Sequence, residues 1–166
     1  MSPPACRFCG APLTHTLVDL GMQPLANAYL RPEDLDRPEP RFPLHARTCT
    51  ACWLVQVDAV ASPEAIFCDY AYFSSYAASW VEHARRFAEM AAARFGLGAR
   101  SRVVEVASND GYLLRHFVAM GIPCRGIEPA ANVAAVAEAA GIPTEVCFLG
   151  RETGAAFAAS VTAFTC

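Results

Sequence analysis

The chain has 166 residues, 54% of them hydrophobic, enough to fill one ordinary domain or two small ones and too apolar for a disordered chain. A formal net charge of −3 leaves no basic footprint for nucleic acid. No apolar run approaches the roughly 20 residues that span a bilayer, and the N-terminus MSPPACRFCG lacks the apolar stretch of a secretory signal. The expectation is a cytoplasmic protein with neither nucleic-acid nor membrane partners.

In a reducing compartment the 8 cysteines read as metal ligands or small buried residues. Four of them form two C-x-x-C pairs, Cys6/Cys9 before Gly10 and Cys49/Cys52 before Trp53. Each pair can turn tightly so that two thiolates converge, and four soft ligands suit a tetrahedral structural Zn²⁺. About forty residues separate the pairs, against roughly fifteen to twenty in a compact zinc ribbon. Short strands are expected at 16–20 and 54–57. Pro24, Pro32, Pro38, Pro40 and Pro43 exclude a long helix between them. Such a loop-rich module, with little core of its own, depends on its metal to fold. His15 and His45 lie close by, but four cysteines already close a site, so both read as surface or hydrogen-bonding residues. Cys68, Cys124, Cys147 and Cys166 fall outside the motif, the middle two expected on strands as small buried residues.

The segment Asp69-Tyr70-Ala71-Tyr72-Phe73-Ser74-Ser75-Tyr76 is dense in aromatic rings and hydroxyls. Such a cluster either packs or supplies proton donors and substrate hydrogen bonds. Ser79 with Glu82 forms a capping-box pattern, and Trp80, Ala84, Phe87, Ala91 and Phe95 then recur as the apolar stripe of a helix that Gly96 and Gly98 end. His83, Arg85, Arg86 and Glu89 form its solvated face.

The stretch from Arg102 to Glu128 reads as strand, polar turn, helix and second strand. Val103, Val104 and Val106 suit a strand buried on both faces, and Tyr112 to Met120 has helical spacing. The turn Ala107-Ser108-Asn109-Asp110-Gly111 stands at the carboxyl edge of the strand, where ligands of open parallel sheets bind. Glu128 follows roughly twenty residues later, the distance at which such folds set a carboxylate against ribose. Only Gly111 survives of the glycines in a dinucleotide fingerprint, which disfavours NAD. S-adenosylmethionine has no phosphate to cradle, and Glu105, the turn and Glu128 fit its needs. Gly121-Ile122-Pro123 and Gly141-Ile142-Pro143 then repeat a helix end followed by a strand start. A helix is expected at 131–140, a third strand at 144–148 and a third helix at 151–159. Ser160 to Cys166 could begin a fourth strand, beside a raw sheet edge.

With both features in view, the sequence resembles the sugar C-methyltransferases that act on nucleotide-activated keto-deoxysugars. The resemblance runs through CRFCG, CTACW, LGMQPLANAYL, DYAYFSSYAASWVEHARRF, VVEVASNDGYLLRHF, GIEPAANVA and GIPTEVCFLGRET. It implies an α/β chain: a small zinc-binding module over 1–68, a junction and connecting helix over 69–98, and an incomplete Rossmann-like S-adenosylmethionine-binding domain over 99–166. By the resemblance Cys6, Cys9, Cys49 and Cys52 hold zinc, and Glu105, Ala107, Asn109 and Glu128 line the cofactor site. Tyr76 is the catalytic or substrate-facing residue, with Tyr72 second. The family's later segment rich in His, Glu and Tyr, which resembles the site of proton abstraction, has no counterpart here. The expectation is therefore a truncated enzyme, inactive alone, whose full-length relatives deprotonate carbon alpha to a ketone and methylate it. Two other readings stand beside it: a zinc-stabilised interaction module that pairs with a partner or a second copy through its exposed sheet edge, and a small NAD-binding protein.

Overall fold

The computed structural model describes residues 3–58, 60–67 and 69–162. Cys68 and Cys166 lie outside the described residues. The chain divides into two compact units, Met1–Ile66 and Phe67–Cys166.

In the first unit, β1 (His15–Gln23), β2 (Phe42–Thr48) and β3 (Val55–Val57) form an antiparallel sheet in that order. β1 and β3 lie where short strands are expected, and β2 is an addition. Its alternation is masked by Pro43, which pairs with Met22 of β1. Proline is tolerated there because β3 borders β2 only from Ala46 to Thr48. The buried apolar residues of this unit are Cys6, Leu13 and Cys49, with Ala11 and Cys52 packed on them. Its core is thus largely a cysteine cluster. α1 (Pro63–Phe67) follows the sheet.

In the second unit, α2 (Ala78–Phe95) leads into β4 (Val103–Val106), α3 (Leu114–Ala119), β5 (Cys124–Ile127), α4 (Ala131–Ala139), β6 (Thr144–Glu145) and α5 (Arg151–Thr162). The strands are parallel in the order β4-β5-β6, with Val103 opposite Cys124 and Gly126 opposite Thr144. This is the arrangement of half a Rossmann-like sheet. The two Gly-Ile-Pro repeats do the same work twice. Gly121 and Gly141 take left-handed φ of 69° and 79°, while the N–H groups of Ile122 and Ile142 donate back to Phe117 and Ala137. Both isoleucines are buried, so each helix ends in a Schellman turn with its apolar contact, and the strand starts after the proline.

One core holds these elements together: Ala88 and Ala91 of α2, Leu114 and Phe117 of α3, Ala137 of α4, and Ile122 and Ile142, with Val103 and Cys124 from the sheet. On the other face Val104 and Val106 are exposed, so β4 is covered on one side and not on both.

Several local expectations are corrected. Ala84 and Ala91 of the expected α2 stripe are buried, joined by Ala88, whereas Trp80, Phe87 and Phe95 are 45%, 47% and 68% exposed. Small residues on the buried face permit close helix approach, and the aromatic rings are displaced to its flanks. The capping box does not form. Ala77 is the N-cap, and Glu82 instead accepts from Arg85 and Arg86, which hold its carboxyl down at about 2. β6 has two residues, and Cys147 follows it in a turn. Residues 160–162 continue α5 and begin no strand; 163–166 lie outside the described residues.

Candidate metal centre and cofactor cleft

The two C-x-x-C pairs fold into matching turns. Cys6 N–H donates to Ala11 and Gly10 N–H to Cys6; Cys49 N–H donates to Leu54 and Trp53 N–H to Cys49 in the same pattern. Gly10 and Trp53 occupy equivalent left-handed positions, at φ 75° and 64°. All four sulfurs lie within 4.8 Å of one another. The Cys6–Cys52 and Cys9–Cys49 separations are 3.7 and 3.6 Å. A tetrahedron with Zn–S bonds of about 2.3 Å needs sulfurs about 3.8 Å apart, so the spacing fits zinc, and it is far longer than the roughly 2.05 Å of a disulfide.

The surroundings favour thiolates on two of the four sulfurs. The Cys9 N–H is the chief cause that draws the Cys6 thiol down to about 6, with help from the Gln56 side chain against burial. The Cys52 and Ala51 N–H groups lower Cys49 likewise. At Cys52 the Leu54 N–H also lowers the thiol, but burial and the neighbouring Cys49, Cys9 and Cys6 sulfurs outweigh it and push the group up to about 12. Four sulfurs this close cannot all ionise without a cation between them. Gln56 braces the site, its amide donating to Cys6 Sγ at 3.2 Å and its carbonyl oxygen accepting the Arg7 N–H. His45 instead hydrogen-bonds Thr16 and Arg47, as a hydrogen-bonding rather than a ligating residue.

In the second unit a cleft of about 490 Å³ opens at the carboxyl ends of β4 and β5. Its size is that of a small-molecule site. Val106, Ala107, Asn109, Ile127, Glu128 and Pro129 form its floor; Phe67, Tyr70, Tyr72, Ser74, Tyr112, Cys147, Phe148 and Leu149 form its walls. Of the residues named from sequence, Ala107, Asn109, Glu128 and Tyr72 meet here. Glu105 lies behind the lining. Tyr76 is 91% exposed and stands outside the cleft.

The turn that forms the floor is held by its own backbone. Ala107 and Ser108 N–H donate to Ile127, Asn109 N–H to Glu128 at 2.9 Å, and Gly111 N–H to Ser108. Those donors are therefore not available to cradle a diphosphate, which argues against a dinucleotide and fits a nucleoside cofactor without phosphate. Ala107 and Asn109 take left-handed φ of 58° and 51°. Gly111, at φ 75°, and Gly126 leave no room for a side chain unless a neighbour moves: a Cβ would meet Ile142 Cδ1 at 2.3 Å in the first case and Ser108 Oγ at 2.3 Å in the second. Glu128 is buried, each carboxylate oxygen accepting one N–H, from Asn109 and from Ala130, both at 2.9 Å. Each oxygen retains a further lone pair, so a vicinal diol can still be bound.

Acids crowd this edge. Burial, then the charges of Asp110 and Glu128, push the Glu105 carboxyl up to about 8, and burial followed by Glu105 raises Tyr112. Glu105 Oε2, Ser108 Oγ and Asp110 Oδ1 are buried without a protein partner. Sequence reasoning did not single out Asp110, Asn132, Tyr112 or Phe148. Asp110 and Tyr112 flank Gly111 in the motif itself, whereas Asn132 falls in the stretch GIEPAANVA, where it is the one polar residue of an alanine-rich helix start.

Residues 6–67 match a family model described as "Putative zinc binding domain". Over 139 residues, 84% of this chain, the sequence is 37% identical to the C-methyltransferase NovU of Streptomyces niveus, and the chain spans 33% of that protein's length. A shared stretch of 139 residues is longer than either unit alone, so the likeness extends into both units. Over both units, the chain is thus similar to a C-methyltransferase.

Proposed function

We propose that the second unit binds S-adenosylmethionine in the cleft at β4 and β5, as part of a C-methyltransferase acting on a nucleotide-activated keto-sugar, and that Cys6, Cys9, Cys49 and Cys52 hold a structural zinc. The observation that carries the cofactor reading is the pairing of a ribose-ready Glu128 with a turn whose amides already donate within the protein. Glu128 would hold the ribose hydroxyls, and the aromatic walls would enclose the adenine. When bound, the cofactor supplies an electrophilic methyl group to a substrate carbanion.

On this reading the cleft would position a cofactor, and among the described residues it offers no evident base for carbon deprotonation. Glu128 is held by two amides, and Tyr112 titrates above the ordinary tyrosine range because it is buried. The 166-residue chain is therefore read as binding cofactor without catalysing transfer. Tyr72 borders the cleft, while the exposed hydroxyl of Tyr76 is free to meet a sugar.

Calorimetry with S-adenosylhomocysteine and with its 2′-deoxy analogue tests the reading on the unaltered protein. A hydrogen bond to a charged group contributes about 1.5–3 kcal/mol, so loss of the hydroxyl should weaken binding about tenfold or more. NADH should not bind. Equal affinity for the two adenosine ligands would remove Glu128 from the ribose, and tighter binding of NADH would replace the cofactor.

A further inference from the structure

Between α1 and α2 the chain passes the cleft and enters a 3-10 turn over Ser74–Tyr76, and alternate residues Tyr70, Tyr72 and Ser74 line the cleft. The segment belongs to no sheet, yet its backbone is held in place by side chains of the turn after β4 and of α4. Asn132 Oδ1 accepts the Tyr70 N–H at 3.1 Å, and its Nδ2 donates to the Tyr70 carbonyl at 2.8 Å. Asn109 repeats the pattern, accepting the Ser74 N–H at 2.8 Å and donating to the Tyr72 carbonyl at 3.0 Å. Asp110 Oδ2 takes both the N–H and the hydroxyl of Ser75. Phe67 adds a ring contact to Tyr70, with centroids 5.7 Å apart.

Asn109 and Asp110 belong to the turn that meets Glu128, but Asn132 does not border the cleft. It stands in the first turn of α4 and has these two bonds to Tyr70. We propose that Asn132 is a positioning residue for the cofactor cleft. By gripping the Tyr70 backbone through both its donor and its acceptor, it holds 70–75 as a preformed wall, so that a nucleoside ligand meets an ordered cleft and does not have to order one. This rests on the cofactor reading above. A wall held by a few side-chain bonds and no ladder is sensitive to the loss of any one of them, since each contributes modestly and each orders the residues beside it.

The test compares wild type with Asn132→Ala and Asn132→Asp by two readouts: amide hydrogen exchange in the ligand-free chain, and calorimetric affinity for S-adenosylhomocysteine. Alanine is at home in a helix, so the first variant keeps α4. With Asn132→Ala the Tyr70, Ser74 and Ser75 amides should exchange about tenfold faster while those of β4 and β5 stay unchanged, and affinity should fall about tenfold. Asn132→Asp keeps the acceptor for the Tyr70 N–H and should restore part of both. Faster exchange at Tyr70 alone would show that the segment does not move as one wall and would overturn the proposal. So would unchanged affinity alongside faster exchange at all three amides. If wild type takes up no S-adenosylhomocysteine, the cofactor reading fails, and the exchange result by itself decides whether Asn132 holds the segment.

Discussion

Glu105→Gln should make this protein more stable at alkaline pH and leave it nearly unchanged at acid pH. Glu105 sits mid-strand in β4, opposite Gly126, with Oε2 buried and unpartnered. Burial, reinforced by the charges of Asp110 and Glu128, raises its carboxyl from 4.5 to about 8 in the folded chain. The folded state therefore binds a proton that the unfolded state has released, and stability falls as pH rises from about 4.5 to about 8. Each pH unit in that window removes about 1.4 kcal/mol, or about 5 kcal/mol across it. Partial solvent access and relaxation of the crowded acids reduce this to about 2–3 kcal/mol. Glutamine mimics the protonated acid, so the variant escapes the loss. The assay is urea unfolding at pH 5 and pH 8.5, read by Trp80 in a Trp53→Phe background so that the signal comes from the second unit. Parallel pH dependence in the two proteins would refute the argument, as would a destabilised variant at pH 8.5.

Two further outcomes follow from the same geometry. Ala107→Gly should stabilise the second unit by up to about 1 kcal/mol, because a left-handed alanine costs about 1–2 kcal/mol and glycine's extra unfolded-state freedom returns part of that; a lowered thermal midpoint would show that Ala107 packing outweighs its backbone strain. Zinc should be present at one equivalent per chain after purification without added metal, and chelation or Cys6→Ser with Cys49→Ser should abolish slow amide exchange in β1–β3, since the apolar core there is mostly cysteine; elemental analysis well below one equivalent would remove the metal centre.

What was legible in the sequence was chemistry fixed by short spacing. A C-x-x-C pair dictates its own turn, and a Gly-Ile-Pro triplet dictates a helix end and a strand start, so the cluster and the βα units follow from local residues alone. β2 was hidden because Pro43 breaks the pattern, and proline is admissible there only through the length of a neighbouring strand. The α2 stripe was legible in part: Ala84 and Ala91 of the expected stripe are buried, but the aromatic rings at the same spacing are not, and Ala88 joins the alanines that let α2 approach the rest. Asn132 lies within GIEPAANVA, but nothing in that stretch assigns it a role. Its role depends on where Tyr70 lies, 62 residues away in sequence, and no local reading reaches that far.

The turn after β4 shows why the residues that mark a cofactor site need not be the ones that touch the cofactor. In a dinucleotide fold the turn's amides face the ligand and glycines make room for it. Here the amides of Ala107, Ser108 and Asn109 face inward, to Ile127 and Glu128, while the Asn109 and Asp110 side chains reach outward to hold 72–75. The turn is thus a joint between the sheet and a wall. Under the proposed cofactor reading, discrimination among ligands then falls to Glu128 and the rings that the wall carries. Substitutions at Asp110 should accordingly weaken any nucleoside ligand without changing which ribose is preferred, whereas removal of the Glu128 carboxylate should erase that preference.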